Sequence, residues 1–117
     1  MKKTLIVEDD ADTLDIMELI LRENGYAVIK VNRSISLNEI AAINPELIIL
    51  DFLLSFGLGT ELCSDIKSDE RIKHIPIILY SASNDIEQLA IDHGADAYLP
   101  KPFDIDNLIQ LVSEKVL

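Results

Sequence analysis

The sequence predicts an α/β protein built as a doubly wound (βα)5 domain. Five short apolar segments alternate with five segments in which apolar residues recur at helical spacing. This alternation is typical of a parallel sheet with helices on both faces. The chain has 117 residues, of which 49% are hydrophobic, and this is enough for one domain with its own core. Because crossovers are right-handed, we predict a five-stranded parallel sheet of the flavodoxin-like order 2-1-3-4-5.

The first predicted strand covers residues 5–7 and is followed at once by three acidic residues, Glu8-Asp9-Asp10. The next segment carries apolar residues at helical spacing: Leu14, Met17, Ile20 and Leu21. Asp10 is suited to cap this helix, and Asn24-Gly25 is suited to end it. A second strand is predicted at about residues 27–31.

The second helix is predicted to begin at a capping box formed by Ser36 and Glu39. The third strand covers residues 47–50, an uninterrupted apolar run that is typical of a strand buried on both faces. It runs directly into Asp51. A loop over residues 52–59 then leads to a third helix, whose inward face carries Leu62, Cys63 and Ile66.

Residues 76–81 form the fourth predicted strand, with proline tolerated at its first position. Asn84 and Glu87 indicate a capped fourth helix that stops at His93-Gly94. The capping pair and the terminal glycine together predict a short helix between them.

A brief fifth strand covers residues 97–99 and ends at Pro100-Lys101-Pro102. Asp104 is expected to cap the last helix. The apolar face of that helix carries Ile105, Leu108, Ile109, Val112 and Val116. No linker or repeat interrupts the pattern, so we expect residues 1–117 to form one domain, with no second domain visible in the sequence.

Composition argues against several classes of function. Twenty-one acidic residues against ten basic residues give a net charge of −11, and such a chain repels nucleic-acid phosphates and anionic lipid. We therefore expect no direct binding of nucleic acid or membrane. The single cysteine, Cys63, rules out an internal disulfide and suits a reducing compartment. No apolar run approaches the length of a membrane span, so we expect a cytoplasmic protein.

The acidic residues at the strand ends are the main candidates for chemistry. In the predicted order, the first and third strands end side by side, at the place where open α/β sheets bind ligands. Glu8 and Asp9 should therefore lie beside Asp51. Carboxylates this close repel each other, so either some become protonated or a divalent cation lies among them. Oxygen ligands and retained waters are typical of Mg²⁺, with Asp9 as a direct ligand and Glu8 as a direct or water-mediated one.

Two further polar side chains fall at the same edge of the predicted sheet. Ser81 ends the fourth strand and Lys101 ends the fifth. An aspartate nucleophile, a cation, a fixed ammonium group and a hydroxyl are the parts of a phosphoryl-transfer site. Each residue alone has a simpler interpretation, since Asp51 could cap a turn and Lys101 could be an ordinary surface lysine. Their occurrence together at strand ends favours the chemical interpretation.

Over essentially its full length the chain resembles the receiver domain of two-component response regulators. The matching segments are residues 5–10, 47–51, 77–82 and 94–103. The resemblance implies that Asp51 is the phosphoacceptor and that Lys101 contacts the phosphoryl group. It implies that Ser81 is the switch hydroxyl and Tyr98 the switch aromatic.

The same resemblance implies a Mg²⁺ site. Its ligands would come from Glu8, Asp9, Asp51 and the main-chain carbonyl of Leu53. The resemblance further implies a cis peptide bond between Lys101 and Pro102, which is physically allowed because cis bonds are largely confined to X–Pro.

One loop departs from the pattern of these domains. After the phosphoacceptor they usually read Leu-Pro-x-x-(Asp or Gly)-Gly, whereas here Leu54 is followed by Ser55-Phe56-Gly57-Leu58-Gly59. Without the proline we expect a looser loop. Phe56 and Leu58 would form an apolar surface spot or pack against the third helix.

The resemblance implies a sensor histidine kinase or a histidine phosphotransfer protein as phosphodonor, and a downstream effector that the sequence does not identify. Phosphorylation would reshape the face formed by the fourth helix, the fifth strand and the fifth helix, and the sequence leaves open whether that face also forms a homodimer. Such a domain assists its own phosphorylation and dephosphorylation and is not a turnover enzyme.

Two alternatives remain at this point. The chain could be a degenerate receiver that acts as a phosphorylation-independent interaction module. It could also be a haloacid-dehalogenase-type phosphatase, although Leu53 stands where that class has its general acid.

Overall fold

The computed structural model describes residues 2–116, which form a central parallel sheet with helices around it. The helices and strands in chain order are β1 (Lys3–Val7), α1 (Ala11–Glu23), β2 (Ala27–Val31), α2 (Leu37–Ile43), β3 (Leu47–Asp51), β4 (Leu53–Leu54), β5 (Gly57–Leu58), α3 (Gly59–Lys67), β6 (Ile77–Ser81), α4 (Ile86–His93), β7 (Ala97–Pro100) and α5 (Ile105–Lys115).

The parallel sheet has the strand order β2-β1-β3-β6-β7, and β4 pairs with β5 in a separate two-stranded sheet. Because β6 and β7 are the fourth and fifth strands of the parallel sheet along the chain, the predicted order 2-1-3-4-5 is confirmed. The register pairs Val7 with Leu50 and Asp51 with Tyr80. The residues at the carboxyl ends of β1, β3 and β6 therefore lie along one edge of the sheet.

Two apolar clusters, one on each face of the sheet, form the core. Successive strand residues point to opposite faces, so Ile49 belongs to one cluster and Ile48 to the other. We call the first side the α1/α5 face, since Met17 of α1 and Leu108 of α5 complete its cluster. The other side is the α2/α3 face, and its cluster includes Cys63, as predicted. Within residues 2–116, no helix is long and apolar enough to cross a membrane.

Three predicted helix caps are confirmed by their hydrogen bonds. The Asp10 side chain accepts a hydrogen bond from the Thr13 backbone N–H at 3.0 Å. Ser36 and Glu39 form the reciprocal capping box at the start of α2. The Asp104 side chain accepts from the backbone N–H of Asn107 at 3.0 Å. These bonds satisfy donors that the first turn of each helix leaves free.

The predicted cap of the fourth helix is wrong. The N-cap of α4 is Asp85, and no side-chain capping bond is formed there within the described chain. The Asp85 backbone N–H instead donates to the Ser83 hydroxyl at 3.2 Å, while Glu87 accepts a hydrogen bond from the Tyr98 hydroxyl at 3.0 Å. Local hydroxyl bonds compete with regular capping, and here they move the helix start by one residue.

Two further expectations differ from the structure. The segment after Asp51, expected to be a loop, contains the β4–β5 hairpin, with Leu53 opposite Leu58 and Leu54 opposite Gly57. Ile105, expected on the buried face of the last helix, is 54% exposed. As the first residue of α5, it lies before the part of the helix that covers the sheet.

Candidate functional site

Three carboxylates converge at the carboxyl edge of the sheet. Glu8 and Asp9 follow β1, and Asp51 ends β3, which is the neighbour of β1 in the sheet. Each contributes an oxygen atom to a group whose members all lie within 4.8 Å of one another. Glu8 and Asp51 are almost fully buried, at 2% and 4% exposure. The topology thus brings together the three acidic residues that the sequence predicted to meet.

Asp51 is held by two neighbours at its carboxylate. The Lys101 ammonium group lies 2.9 Å from Asp51 Oδ1, and the Leu53 backbone N–H donates a long hydrogen bond of 3.4 Å to the same oxygen. Lys101 lies just beyond β7, and its peptide bond to Pro102 is cis. The predicted approach of Lys101 to Asp51 is therefore present in the structure.

Glu8 is the least satisfied group of the cluster. Its Oε2 is buried and has no hydrogen-bond partner among residues 2–116. Burial raises the pKa of Glu8 to about 9, and the facing Asp51 carboxyl adds to the rise. In the part of the chain that the structure describes, one lysine lies beside these three carboxylates, so this edge is short of positive charge. An additional cation, or a proton on Glu8, would supply the deficit.

Asp9 connects the acidic cluster to the β4–β5 hairpin. One of its carboxylate oxygens accepts a hydrogen bond of 2.8 Å from the backbone N–H of Ser55. A proline at this position would have no N–H to donate. The segment that was expected to be loose is therefore tethered by its strand pairing and by this bond to Asp9, while Phe56 and Leu58 at its surface are 37% and 38% exposed.

The hydroxyl predicted at this edge is also present. Ser81 is 3% exposed, and its Oγ accepts a hydrogen bond of 3.0 Å from the Ser83 backbone N–H. A cavity of about 210 Å³ opens between the ends of β3 and β6, and its walls include Asp51, Ser81 and Lys101. Ala82 also lines this cavity and leaves it unobstructed, so a small group could enter beside Asp51.

Tyr98, the predicted switch aromatic, lies outside this cavity. Its side chain is 37% exposed, and its hydroxyl donates to Glu87 of α4 at 3.0 Å. The hydrogen bond to Glu87, together with the negative charge of that carboxylate, raises the pKa of the Tyr98 phenol. In this structure Tyr98 therefore belongs to the outer face made by α4, β7 and α5.

Two residues at the site were missed by the sequence analysis. A Cβ atom added to Gly59 would lie 1.8 Å from the backbone oxygen of Asp51, so the first turn of α3 packs directly against the end of β3. Tyr80 lies beneath Lys101, whose Nζ is 4.6 Å from the ring centroid. The position of Gly59, at the junction of a loop and a helix, could have indicated a close backbone contact. The role of Tyr80 depends on the strand register, which the sequence does not reveal.

A family model described as response regulator receiver domain matches residues 4–113. The chain therefore belongs to this family and is a receiver domain of two-component response regulators. This membership excludes the haloacid-dehalogenase alternative. The fold and the clustered acidic residues agree with it, since the cluster could bind Mg²⁺ and accept a phosphoryl group.

Individual relatives place the chain among response regulators. It is 35% identical over 112 residues to the response regulator ArlR of Staphylococcus saprophyticus, covering 93% of this chain and 50% of that protein. It is 33% identical over 115 residues to the DNA-binding dual master transcriptional regulator RpaA of Synechocystis sp., covering 96% of this chain and 48% of that protein. The chain thus spans about half the length of these relatives.

A solved structure with the same fold is the response regulator protein TrrA from Thermotoga maritima in complex with Mg²⁺-BeF. The two structures superpose with a TM-score of 0.87 at 27% sequence identity, covering 98% of this chain and 99% of that chain. Similarity over nearly the whole of both chains agrees with the single receiver fold described above.

Proposed function

We propose that Asp51 accepts a phosphoryl group from a phosphohistidine, and that the domain transmits this event to a partner. The observation that carries the proposal is the environment of the Asp51 carboxylate, which is 4% exposed and lies 2.9 Å from the Lys101 ammonium group. Oxygen atoms of Glu8 and Asp9 lie within 4.8 Å of it. A nucleophile, a fixed cation and further metal-type ligands thus meet at one point.

The transfer itself requires positioning more than elaborate chemistry. An Asp51 Oδ attacks the phosphorus, forming an O–P bond while the P–N bond to the donor imidazole breaks. The imidazole nitrogen keeps the electron pair of that bond and takes up a proton. Lys101 is positioned to neutralise charge on the phosphoryl oxygens. Ser81, at the other side of the cavity, supplies a hydroxyl that can donate to one of those oxygens once it releases Ser83.

The residues present fit a Mg²⁺ ion. Glu8 has a buried oxygen with no hydrogen-bond partner among the described residues, and one lysine does not balance the three carboxylates of the cluster. Asp9, Asp51 and the main-chain carbonyl of Leu53 would hold the ion, with Glu8 binding directly or through water. When bound, the ion neutralises the charge that develops on the phosphoryl group. The Mg²⁺-BeF complex of TrrA, a protein of the same fold, supports this assignment.

The outer face formed by α4, β7 and α5 is the proposed output surface. It contains a groove of about 570 Å³, lined by Ile91, Tyr98 and Leu111 among others. When Ser81 turns toward a phosphoryl group it vacates space, and Tyr98 can leave Glu87 and turn inward to fill it. The shape of the groove then differs between the two states, and a downstream effector can distinguish them.

These roles define the proposed partners and setting. A sensor histidine kinase or a histidine phosphotransfer protein donates the phosphoryl group, in the cytoplasm, and the whole of residues 1–117 acts as the receiver. The domain assists its own phosphorylation and dephosphorylation without being a turnover enzyme. Its net charge of −11 favours protein partners over nucleic acid or membrane. A homodimer through the output surface is one form that the response could take.

The test is intact-mass spectrometry after incubation with acetyl phosphate, with Mg²⁺ or with a chelator. We expect the wild type to gain one phosphoryl group only in the presence of Mg²⁺, and Asp51→Asn to gain none. Asp65→Asn, which changes an exposed aspartate of α3, is the matched control and should behave as the wild type. A folded wild type that gains no phosphoryl group would contradict the proposal and favour the phosphorylation-independent interaction module.

A further inference from the structure

A row of side chains crosses the carboxyl edge of the sheet on its α1/α5 face. Ile49 and Ile78 both pack on that face. Side-chain direction repeats every second residue along a strand, so Asp51 and Tyr80 also point to it. The register pairs these two residues directly across β3 and β6. Tyr80 is therefore the immediate neighbour of Asp51 on the side of β7.

Lys101 must cross this row to reach Asp51. It follows β7, and β6 lies between β7 and β3 in the sheet, so the separation is two strand spacings, or about 10 Å. The Lys101 ammonium group reaches Asp51 only when the lysine side chain lies extended across β6 and the Asp51 side chain covers the rest of the distance. The β6 side chain beneath it is Tyr80, with the ammonium nitrogen 4.6 Å from the ring centroid and 2.9 Å from Asp51 Oδ1.

The tyrosine ring is itself held in place. Tyr80 is 5% exposed, and its backbone oxygen accepts a hydrogen bond of 2.8 Å from the Phe52 N–H. The Phe103 ring meets it edge to face, with centroids 5.9 Å apart. Burial and the nearby carboxylates of Glu8 and Asp51 raise the pKa of the phenol to about 12. The ring is therefore neutral and fixed, which suits it to hold a cation against its face.

We propose that Tyr80 is a positioning residue for Lys101, holding the ammonium group over its ring and directed at the Asp51 carboxylate. This inference rests on the proposed phosphoryl-transfer function. Lys101 is 28% exposed at its side chain, and a lysine has many rotamers and a strong affinity for water. The aromatic face reduces the number of directions that the ammonium group can take, so less orientation has to be acquired when the phosphodonor arrives.

The first experiment is a double-mutant cycle between Tyr80 and Lys101. The rate of phosphorylation by acetyl phosphate with Mg²⁺ is measured by intact mass for the wild type, Tyr80→Leu, Lys101→Met and the double variant. We expect Tyr80→Leu to slow the wild-type reaction by roughly 3- to 30-fold, the range of a partly desolvated cation–π contact. In the Lys101→Met background, the same change should alter the rate by less than about twofold.

Tyr80→Phe keeps the ring and removes only the hydroxyl, so it should recover most of the rate lost in Tyr80→Leu. Equal slowing by Tyr80→Leu in both backgrounds would overturn the proposal, because a purely structural defect does not depend on Lys101. No slowing by Tyr80→Leu, or a Tyr80→Phe variant as slow as Tyr80→Leu, would also overturn it.

A spectroscopic measurement separates this inference from the proposed function. Methylene protons of Lys101 that lie over the Tyr80 ring should resonate upfield in the wild type and in Tyr80→Phe, and should lose this shift in Tyr80→Leu. A wild type without the upfield shift would overturn the inference even if Asp51 is phosphorylated. If the shift is present but Asp51 takes no phosphoryl group, the contact is established and the proposed function fails. Should Tyr80→Leu not fold, the wild type and Tyr80→Phe still decide the contact.

Discussion

The carboxyl edge of the sheet and the outer face of α4, β7 and α5 are held together in very different ways. At the edge, Glu8 and Asp51 are buried among other charged groups, at 2% and 4% exposure, and the chain packs so closely that Gly59 leaves no room for a Cβ beside Asp51. On the outer face, Tyr98 and Ile91 are 37% and 65% exposed. Among the described residues, the Tyr98 hydroxyl makes one side-chain hydrogen bond, which it donates to Glu87.

This difference indicates that the two regions have different roles in a response to phosphorylation. A change of charge at a buried edge is energetically large, since buried charges are poorly screened and must be compensated nearby. A change of side-chain position on an exposed face costs little, and elements that move in regulation are drawn from such weakly held regions. A phosphoryl group at Asp51 would therefore change the charge at the rigid carboxyl edge. A partner would detect the resulting change at the more adaptable outer face.

The largest effect should come from filling the close contact at Gly59. In Gly59→Ala the new Cβ would lie 1.8 Å from the Asp51 backbone oxygen, so α3 and the end of β3 must move apart. We expect the free energy of unfolding to fall by about 3 kcal/mol, the upper end of the usual cost of overpacking. Urea denaturation measures this change.

Gly25→Ala is the matched control for this prediction. Gly25 has a positive φ of 88°, but no atom of residues 2–116 outside its immediate chain neighbours lies within 4 Å of its added Cβ, so the cost is conformational and should be about 1 kcal/mol. Equal losses in the two variants would show that the contact between Gly59 and Asp51 is not tight, and that the carboxyl edge of the sheet is not rigid.

The next effect is the pH dependence of stability caused by Glu8. The pKa of its carboxyl is raised from 4.5 to about 9 in the folded protein, so folding takes up a proton in this pH range. The free energy of unfolding therefore falls as the pH rises from 4.5 to about 9. Without metal, the wild type should lose stability more steeply than Glu8→Gln, by about 1 kcal/mol per pH unit. Urea denaturation at a series of pH values in chelator measures the two slopes.

Adding Mg²⁺ tests the same assignment of the pH dependence to Glu8. A cation among the carboxylates favours their ionised form, so adding Mg²⁺ should reduce the slope of the wild type and leave that of Glu8→Gln nearly unchanged. Identical slopes for the two proteins in chelator would mean that Glu8 ionises as an ordinary carboxyl. The edge would then respond to charge as weakly as the outer face.

The smallest effect is expected on the outer face. Tyr98→Phe removes the hydrogen bond to Glu87 at a partly exposed position, so thermal unfolding should show a loss of no more than about 0.5 kcal/mol. Glu87→Gln replaces the carboxylate whose hydrogen bond and negative charge raise the pKa of Tyr98, so an absorbance titration should show the phenol ionising at lower pH than in the wild type. A loss as large as that of Gly59→Ala would contradict the idea of a weakly held output surface.

Much of the fold was determined by local sequence pattern. Uninterrupted apolar runs such as residues 47–50 predicted buried parallel strands, and their alternation with helical periodicity left few topologies. Acidic residues that directly follow two of these runs then had to meet at the strand ends. Caps such as Asp10 and Ser36 were also predictable, since the bonds that they make span only three residues.

Tertiary structure alone decided the features that depend on distant segments. The start of α4 depends in part on Tyr98, whose hydroxyl donates to Glu87 and so takes this side chain away from capping. The high pKa of Glu8 follows from burial against Asp51, 43 residues away in sequence. The contact of Tyr80 with Lys101 requires the register of β3, β6 and β7 together. Such properties arise from which strands become neighbours, and a single stretch of sequence does not contain that information.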